Sequence, residues 1–224
     1  MQETSTNDII IYDGKVQKTP QELLNCPHQI ITYKRPKELW LRNICEEFEL
    51  PFSKTIFASD EPVDDIYYWC PDEVIKTESN GHCGFMSFST ILTGSPDHHG
   101  KIRTMIANHI IRSFDMVGGL IIFLFDKNPW GKNALEYANE DLEVDPNIPT
   151  HHWMRSLHLA AAADLFQCNV LVKRSDAHGW NCYNTMTYVH GIEKMEYIST
   201  LPSILIDNHS GNHFEPIITL KRIL

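Results

Sequence analysis

Glu78-Ser79-Asn80-Gly81-His82-Cys83-Gly84-Phe85-Met86-Ser87-Phe88-Ser89-Thr90-Ile91-Leu92 is the stretch whose reading decides the fold, because in it a polar turn delivers a cysteine to the start of a helix. Asn80-Gly81 is a turn pair, since both residues tolerate positive φ. Phe85, Phe88, Ile91 and Leu92 then recur at helical spacing and bury one face. Cys83 therefore stands at a helix N-terminus, where unpaired N–H groups and the positive end of the macrodipole favour thiolate over thiol. That makes it a candidate nucleophile. The competing reading is an inert core cysteine, because free cysteine is among the most buried residue types.

A thiol nucleophile needs a base and a group to orient the base. Ile204-Leu205-Ile206-Asp207 reads as a short buried strand, Asn208-His209-Ser210-Gly211-Asn212 as a turn, and His213-Phe214-Glu215-Pro216-Ile217-Ile218 as the returning strand of a hairpin. Alternation puts His213, Glu215 and Ile217 on one face and Phe214 on the other. The carboxylate two residues beyond the imidazole can then fix its tautomer and leave the other ring nitrogen free to take the thiol proton. Without Cys83, His213 reads as an ordinary hairpin histidine.

Four blocks in this order resemble the signature of the ovarian tumour (OTU) family of cysteine deubiquitinases. They are Asn80-Gly81-His82-Cys83-Gly84-Phe85, then Ser95-Pro96-Asp97-His98-His99-Gly100-Lys101-Ile102-Arg103, then Trp153 with Leu157 through Val172, and finally Gly211-Asn212-His213-Phe214-Glu215. The resemblance spans residues 66–224, and it implies an α+β, papain-like fold with a mixed β-sheet flanked by helices. It divides the chain into an N-terminal extension, residues 1–65, that packs on the core or contacts ubiquitin, and a catalytic domain, 66–224.

It also implies isopeptide hydrolysis at the C-terminus of ubiquitin, with Cys83 as nucleophile and His213 as general base. Asn80 and Glu215 complete the site, and the backbone N–H groups of Asn80, Gly81, His82 and Cys83 form the oxyanion hole. Family members usually carry aspartate where this chain has Asn80, and aspartate or asparagine where it has Glu215. Asn212 and Asp207 are therefore alternative orienting residues for His213, and a neutral orienting group suffices, as in cysteine proteases of the papain type. The partners implied are ubiquitin, polyubiquitin chains and ubiquitinated proteins, and no cofactor is required. A catalytically weak ubiquitin-binding module and a thiol hydrolase for another ubiquitin-like modifier are the alternatives.

Composition bounds the rest. With 224 residues, 42% hydrophobic and 21% charged, the chain suits one globular domain, or one plus an extension. Six cysteines at 26, 45, 70, 83, 168 and 182 show no paired spacing, which argues for reduced thiols and against a disulfide framework or a four-cysteine zinc site. Among the 12 histidines, His98-His99 and His151-His152 are adjacent pairs that point apart on a helix, and no His-Glu-x-x-His occurs, so no metal site is expected. The net charge of -10, without a Lys/Arg cluster, argues against nucleic acid and for a partner with a basic surface, which ubiquitin's binding face supplies. The polar start Met1 to Asp8 lacks the pattern of a signal peptide, and the apolar run Val117 to Phe125 is too short to span a bilayer. A soluble, intracellular, cytoplasmic protein is expected; a nuclear protein, or one secreted without a classical signal, would leave the same sequence record.

In the extension, Ile9 to Val16 reads as strand and turn, Thr19 to Leu24 as a short helix, and Pro36 to Glu49 as a helix burying Leu39, Leu41, Ile44 and Phe48. Phe57 to Tyr68 reads as an acidic loop. Ser95-Pro96 caps a helix whose apolar stripe contains His109, read as a satisfied core histidine. Leu120 to Phe125 is strand or buried helix, which periodicity does not decide. The segment Phe125 to Pro149, which holds Asn128-Pro129-Trp130-Gly131 and the acidic stretch Glu136 to Asp145, is expected at the surface, bordering the substrate groove. Thr150 is expected to cap a helix that carries Trp153, Leu157, Ala160, Ala161 and Leu165, with Val170 to Val172 and Trp180 to Tyr183 following as strands.

Overall fold

Val170-Leu171-Val172 and Ile204-Leu205-Ile206 lie side by side as parallel strands, in register Val170 to Ile204 and Val172 to Ile206. Both runs are continuously apolar because both faces of the sheet are covered, and alternation sends successive side chains to opposite sides. Val170, Val172, Ile204 and Ile206 join the main core, while Leu171 and Leu205 join a second cluster with Ile31, Tyr33, Val63, Ile66, Trp180 and Ile217.

The computed structural model describes residues 31–57, 63–116, 134–174, 179–184, 187–189, 192–194, 198–208, 211 and 213–223. The expected elements at Ile9 to Val16, Thr19 to Leu24 and Leu120 to Phe125 lie outside them. Helices α1 (Glu38–Glu47), α2 (Cys83–Thr93), α3 (His99–Met116), α4 (Ala134–Glu143) and α5 (Ser156–Leu165) accompany strands β1 (Trp69–Val74), β2 (Asn169–Arg174), β3 (Trp180–Tyr183), β4 (Thr187–Val189), β5 (Ile192–Lys194), β6 (Ser203–Asn208) and β7 (Glu215–Arg222). Five strands form one mixed sheet in the order β1-β7-β6-β2-β3, and β4 pairs with β5 separately. The fold is α+β, as expected.

α2 is the central helix. The expected face of Phe85, Phe88, Ile91 and Leu92 is fully buried, and so are Ser87, Ser89, Thr90 and Thr93 on its other sides. Their hydroxyls survive burial by bonding backbone carbonyls: Ser87 to Cys83 O at 2.9 Å, Thr90 to Met86 O at 2.8 Å, Thr93 to Ser89 O at 2.8 Å. Each fully buried Phe or Ile here contributes about 1.5–3 kcal/mol. The predicted cap Ser95-Pro96 opens a 3₁₀ turn, Pro96–His98, that runs into α3.

Four expectations are corrected. Leu39 is 70% exposed, because α1 buries Leu41, Ile44 and Cys45, and a side chain two residues before Leu41 projects from the opposite side. The acidic stretch is not simply surface: it forms most of α4, whose Ala134, Tyr137, Ala138 and Asp141 are buried at i, i+3, i+4 and i+7. Thr150 does not cap α5, since its hydroxyl accepts from His152 N at 3.1 Å within a turn of its own. The helix starts at Ser156, with Arg155 in the cap position and its N–H bonded to His158 Nδ1 at 2.9 Å, which leaves Trp153 ahead of it and 40% exposed.

The described part of residues 31–65 shares both cores. Leu41, Ile44, Cys45 and Leu50 pack in the main one, and Tyr33 pairs with Val63 across the second. β1, which has no apolar alternation, is held by its ladder to β7, from Trp69 opposite Arg222 to Val74 opposite Ile217. No described helix is long and apolar enough to cross a membrane.

Candidate active site

Cys83 is the first residue of α2, as its sequence context requires, and the turn before it is built around Asn80. Asn80 Oδ1 accepts from His82 N at 3.0 Å, its Nδ2 donates to Glu78 Oε2 at 3.0 Å, and its carbonyl accepts from Thr150 N at 2.8 Å. Gly81 sits at φ +89°, where a Cβ would stand 1.9 Å from Thr150 O. Only glycine satisfies both the backbone and the contact. Gly84, on the first turn of α2, lies so close to Met154 that a Cβ would meet its side chain at 2.6 Å. Of the four backbone donors expected in the oxyanion hole, the N–H of His82 is already committed to Asn80 Oδ1.

The sulfur is more enclosed than a helix-terminal nucleophile is expected to be. Cys83 is 2% exposed, and burial pushes its thiol up; the N–H groups of Phe214, Gly84 and Cys83 itself, and the charge of Arg103, oppose that shift without cancelling it. The expectation of a thiolate favoured at rest is thereby corrected, since desolvation outweighs the helix terminus.

The two ends of the chain meet where Thr77 and Ser79, ahead of Cys83, contact His213 and Phe214. β6 and β7 form the expected hairpin, pairing Asp207 with Glu215 and Ile206 with Pro216, and α2 packs on β7. His213 and Phe214 stand just before β7 begins, so the segment bearing His213 runs past the start of α2. His213 Nε2 lies 3.4 Å from both Thr77 Oγ1 and Glu215 Oε1, and Nδ1 lies 3.5 Å from Ser79 Oγ. Thr77 donates its own proton to Phe214 O at 2.7 Å, so its oxygen accepts, as does the carboxylate. The tautomer with its proton on Nε2 suits both neighbours and leaves Nδ1 as the basic nitrogen.

Of the orienting candidates, Glu215 faces the imidazole, and its second oxygen accepts from Lys76 Nζ at 2.9 Å. Asp207 is placed on β6 beside Glu215 and Lys173, and Asn212 lies outside the described residues. Asn80 belongs to the thiol's turn and is bonded there. Lys76, Thr77 and Ser79, between β1 and that turn, were not singled out by the sequence reading.

Nor was the buried polar network behind the turn. Arg103 on α3 donates through Nη1 to Asp141 Oδ1 and to His152 O, the latter at 2.8 Å, and through Nη2 to Gly81 O at 3.3 Å and His82 Nδ1 at 3.1 Å. Asp141 Oδ2 accepts from His158 Nε2 at 2.7 Å. Burial alone would raise the Asp141 carboxyl, but His158 and Arg103 hold it below the ordinary value. His82 gives its Nε2 proton to Ile148 O at 2.9 Å, and burial, with Arg103 and His99 nearby, holds its pKa down. The readable signal was Arg103 itself, a lone cation between Ile102, Met105 and Ile106 on an apolar stripe. A cleft lined by Tyr137, Glu140, His152, Trp153 and Arg155 reaches this network from outside.

One histidine of each adjacent pair contacts a neighbouring segment. His99 touches Pro96 O and Pro146 O, both at 3.0 Å, and His152 lies 3.6 Å from Glu140. His109 pairs with Asp164 at 2.7 Å. Among the described residues no group of three or more His, Cys, Asp or Glu is placed to hold a metal ion, and the five described cysteines, 45, 70, 83, 168 and 182, are free.

No family model matches the sequence, and no curated protein matches it. Solved structures do. The chain is similar to the viral OTU domain protease from Dera Ghazi Khan virus, at 17% identity over 67% of this chain and 81% of that one, TM-score 0.45. It is similar to an ovarian tumour domain in complex with ubiquitin, at 14% identity over 70% and 82%, TM-score 0.46, and to the Hazara virus OTU bound to ubiquitin, at 14% over 78% and 89%, TM-score 0.41.

Proposed function

We propose that the chain is a cysteine-dependent deubiquitinase that hydrolyses isopeptide bonds at the C-terminus of ubiquitin. One observation supports the reading: His213, 130 positions after Cys83, lies 3.4 Å from Thr77 Oγ1 and 3.5 Å from Ser79 Oγ, in the segment that leads into the thiol's turn. The ordered blocks around Cys83, Arg103, Trp153 and His213 supply the substrate class.

In this mechanism His213 Nδ1 takes the thiol proton and Cys83 attacks the carbonyl carbon of ubiquitin's terminal glycine. Negative charge on the carbonyl oxygen is met by N–H groups of the Asn80 to Cys83 turn other than that of His82. The imidazolium protonates the departing lysine amine, and water then hydrolyses the thioester to release ubiquitin and restore the thiol. Glu215 and Thr77 hold Nε2–H throughout.

The enclosure of Cys83 and its raised thiol favour a second reading, a module that binds ubiquitin without cutting it. A ubiquitin probe with a C-terminal electrophile separates the two. Covalent capture by the wild type, abolished in Cys83→Ala, is expected; tight binding without an adduct would replace the enzyme by a binding module.

A further inference from the structure

We infer that Arg103 is a positioning residue for the Cys83 nucleophile, holding from α3 the two residues that precede the cysteine. This rests on the reading of Cys83 as a nucleophile and deepens it.

The geometry is specific to a guanidinium. One nitrogen, Nη2, reaches both Gly81 O and His82 Nδ1, while Nη1 is held by Asp141 and His152 O. Its carbon lies 4.0 Å from the centroid of the Phe85 ring, within the first turn of α2. The side chain is 2% exposed, so these contacts lie in a low-dielectric interior where a fork of donors is fixed in direction. The same bonds choose the state of His82: a carbonyl can only accept, so Nε2 carries the proton toward Ile148 O, and Nδ1 is the acceptor that Arg103 requires.

Gly81 and His82 are thus held from both sides. Thr150 and Asn80 fix one side of the turn, and Arg103 fixes the other. The direction in which Cys83 leaves the turn, and hence the placement of its sulfur, follows from that clamp. Asp141 acts one step further back: it orients the guanidinium and is itself oriented by His158, whose Nδ1 accepts from Arg155 N. In addition, Arg103 brings a positive charge near the sulfur, which favours the thiolate against the effect of burial.

Arg103→Lys and Arg103→Met test this. Lysine keeps the charge, but a single ammonium cannot span Gly81 O, His82 Nδ1 and Asp141 together; methionine removes the charge as well. Three quantities are read: the thermal midpoint, kcat and KM on a ubiquitin substrate, and the pH dependence of Cys83 alkylation by iodoacetamide, followed on the Cys83 peptide by mass spectrometry. Folded Arg103→Lys should lose roughly tenfold or more in kcat with KM within about twofold, because misplacement of a reacting group acts on the chemical step. Arg103→Met should in addition move the alkylation midpoint to higher pH.

If neither variant folds, Asp141→Asn, which keeps shape and one acceptor, should reduce kcat in the same sense. Folded variants that match the wild type in kcat and in alkylation midpoint would overturn the inference, as would a loss confined to KM. Alkylation that responds to Arg103 in a protein that no ubiquitin probe captures would instead retain the clamp and remove the ubiquitin reading.

Discussion

On the thiol side of the site, His82, Arg103, Asp141 and His158 are each at most 3% exposed, and the contacts Asp141 to His158, Arg103 to His152 and Arg103 to His82 run from 2.7 to 3.1 Å. On the imidazole side, His213 is 15% exposed and meets Thr77, Ser79 and Glu215 at 3.4 to 3.5 Å. Short bonds between buried groups fix direction, and long contacts at a half-wet edge do so weakly. On the proposed reading, the turn that aims the sulfur is therefore built before substrate arrives, whereas the base tightens in the complex, as catalytic hydrogen bonds commonly do.

The contrast breaks most visibly at Asp141. Asp141→Ala leaves the Arg103 charge buried without its counter-ion and is expected to cost about 3–5 kcal/mol in urea unfolding. Gly81→Ala comes next, at about 2–4 kcal/mol, because it combines a positive φ with a collision against Thr150 O; the thermal midpoint reads it.

Acid titration sharpens the same comparison. The folded state lowers the pKa of His82 from 6.5, so its contribution is complete above 6.5 and declines as pH falls below that value, where the unfolded chain takes up the proton first. Asp141, lowered from 3.8, keeps its contribution down to about that pH and loses it on further acidification. Stability should fall in two stages, and His82→Gln should flatten the upper one.

The imidazole side is expected to respond less. Thr77→Val should cost about 1 kcal/mol in stability for its bond to Phe214 O and, on the proposed reading, slow ubiquitin cleavage several-fold because Nε2–H loses an acceptor. Ser79→Ala, at a 3.5 Å contact, should stay within about 0.5 kcal/mol of the wild type and within about twofold in rate.

What the sequence discloses follows the same division. α2, the β6 and β7 hairpin and the paired runs of β2 and β6 are legible because apolar periodicity and turn residues are local signals. The clamp is not, because its members are remote: Asp141 lies 38 residues from Arg103 and 17 from His158, and an aspartate within an acidic stretch reads as solvated. Thr150 has good cap chemistry but spends its hydroxyl on His152, so the helix expected there starts later, at Ser156. β1 carries Pro71 between Cys70 and Asp72 and no alternation; only its partner strand makes it a strand. Lys76 could not be tied to Glu215, nor Thr77 to His213, before the ladder of β1 and β7 brought the two segments together.

β7 lies between β1 and β6, although it follows both along the chain. A polypeptide cut before Glu215 would keep His213 but lose more than the carboxylate that faces it: it would present two raw margins of unsatisfied N–H and C=O groups, each a template for a neighbour's strand. Truncated products should therefore clump rather than stay dispersed, which ties solubility and the carboxylate facing His213 to the same eight residues.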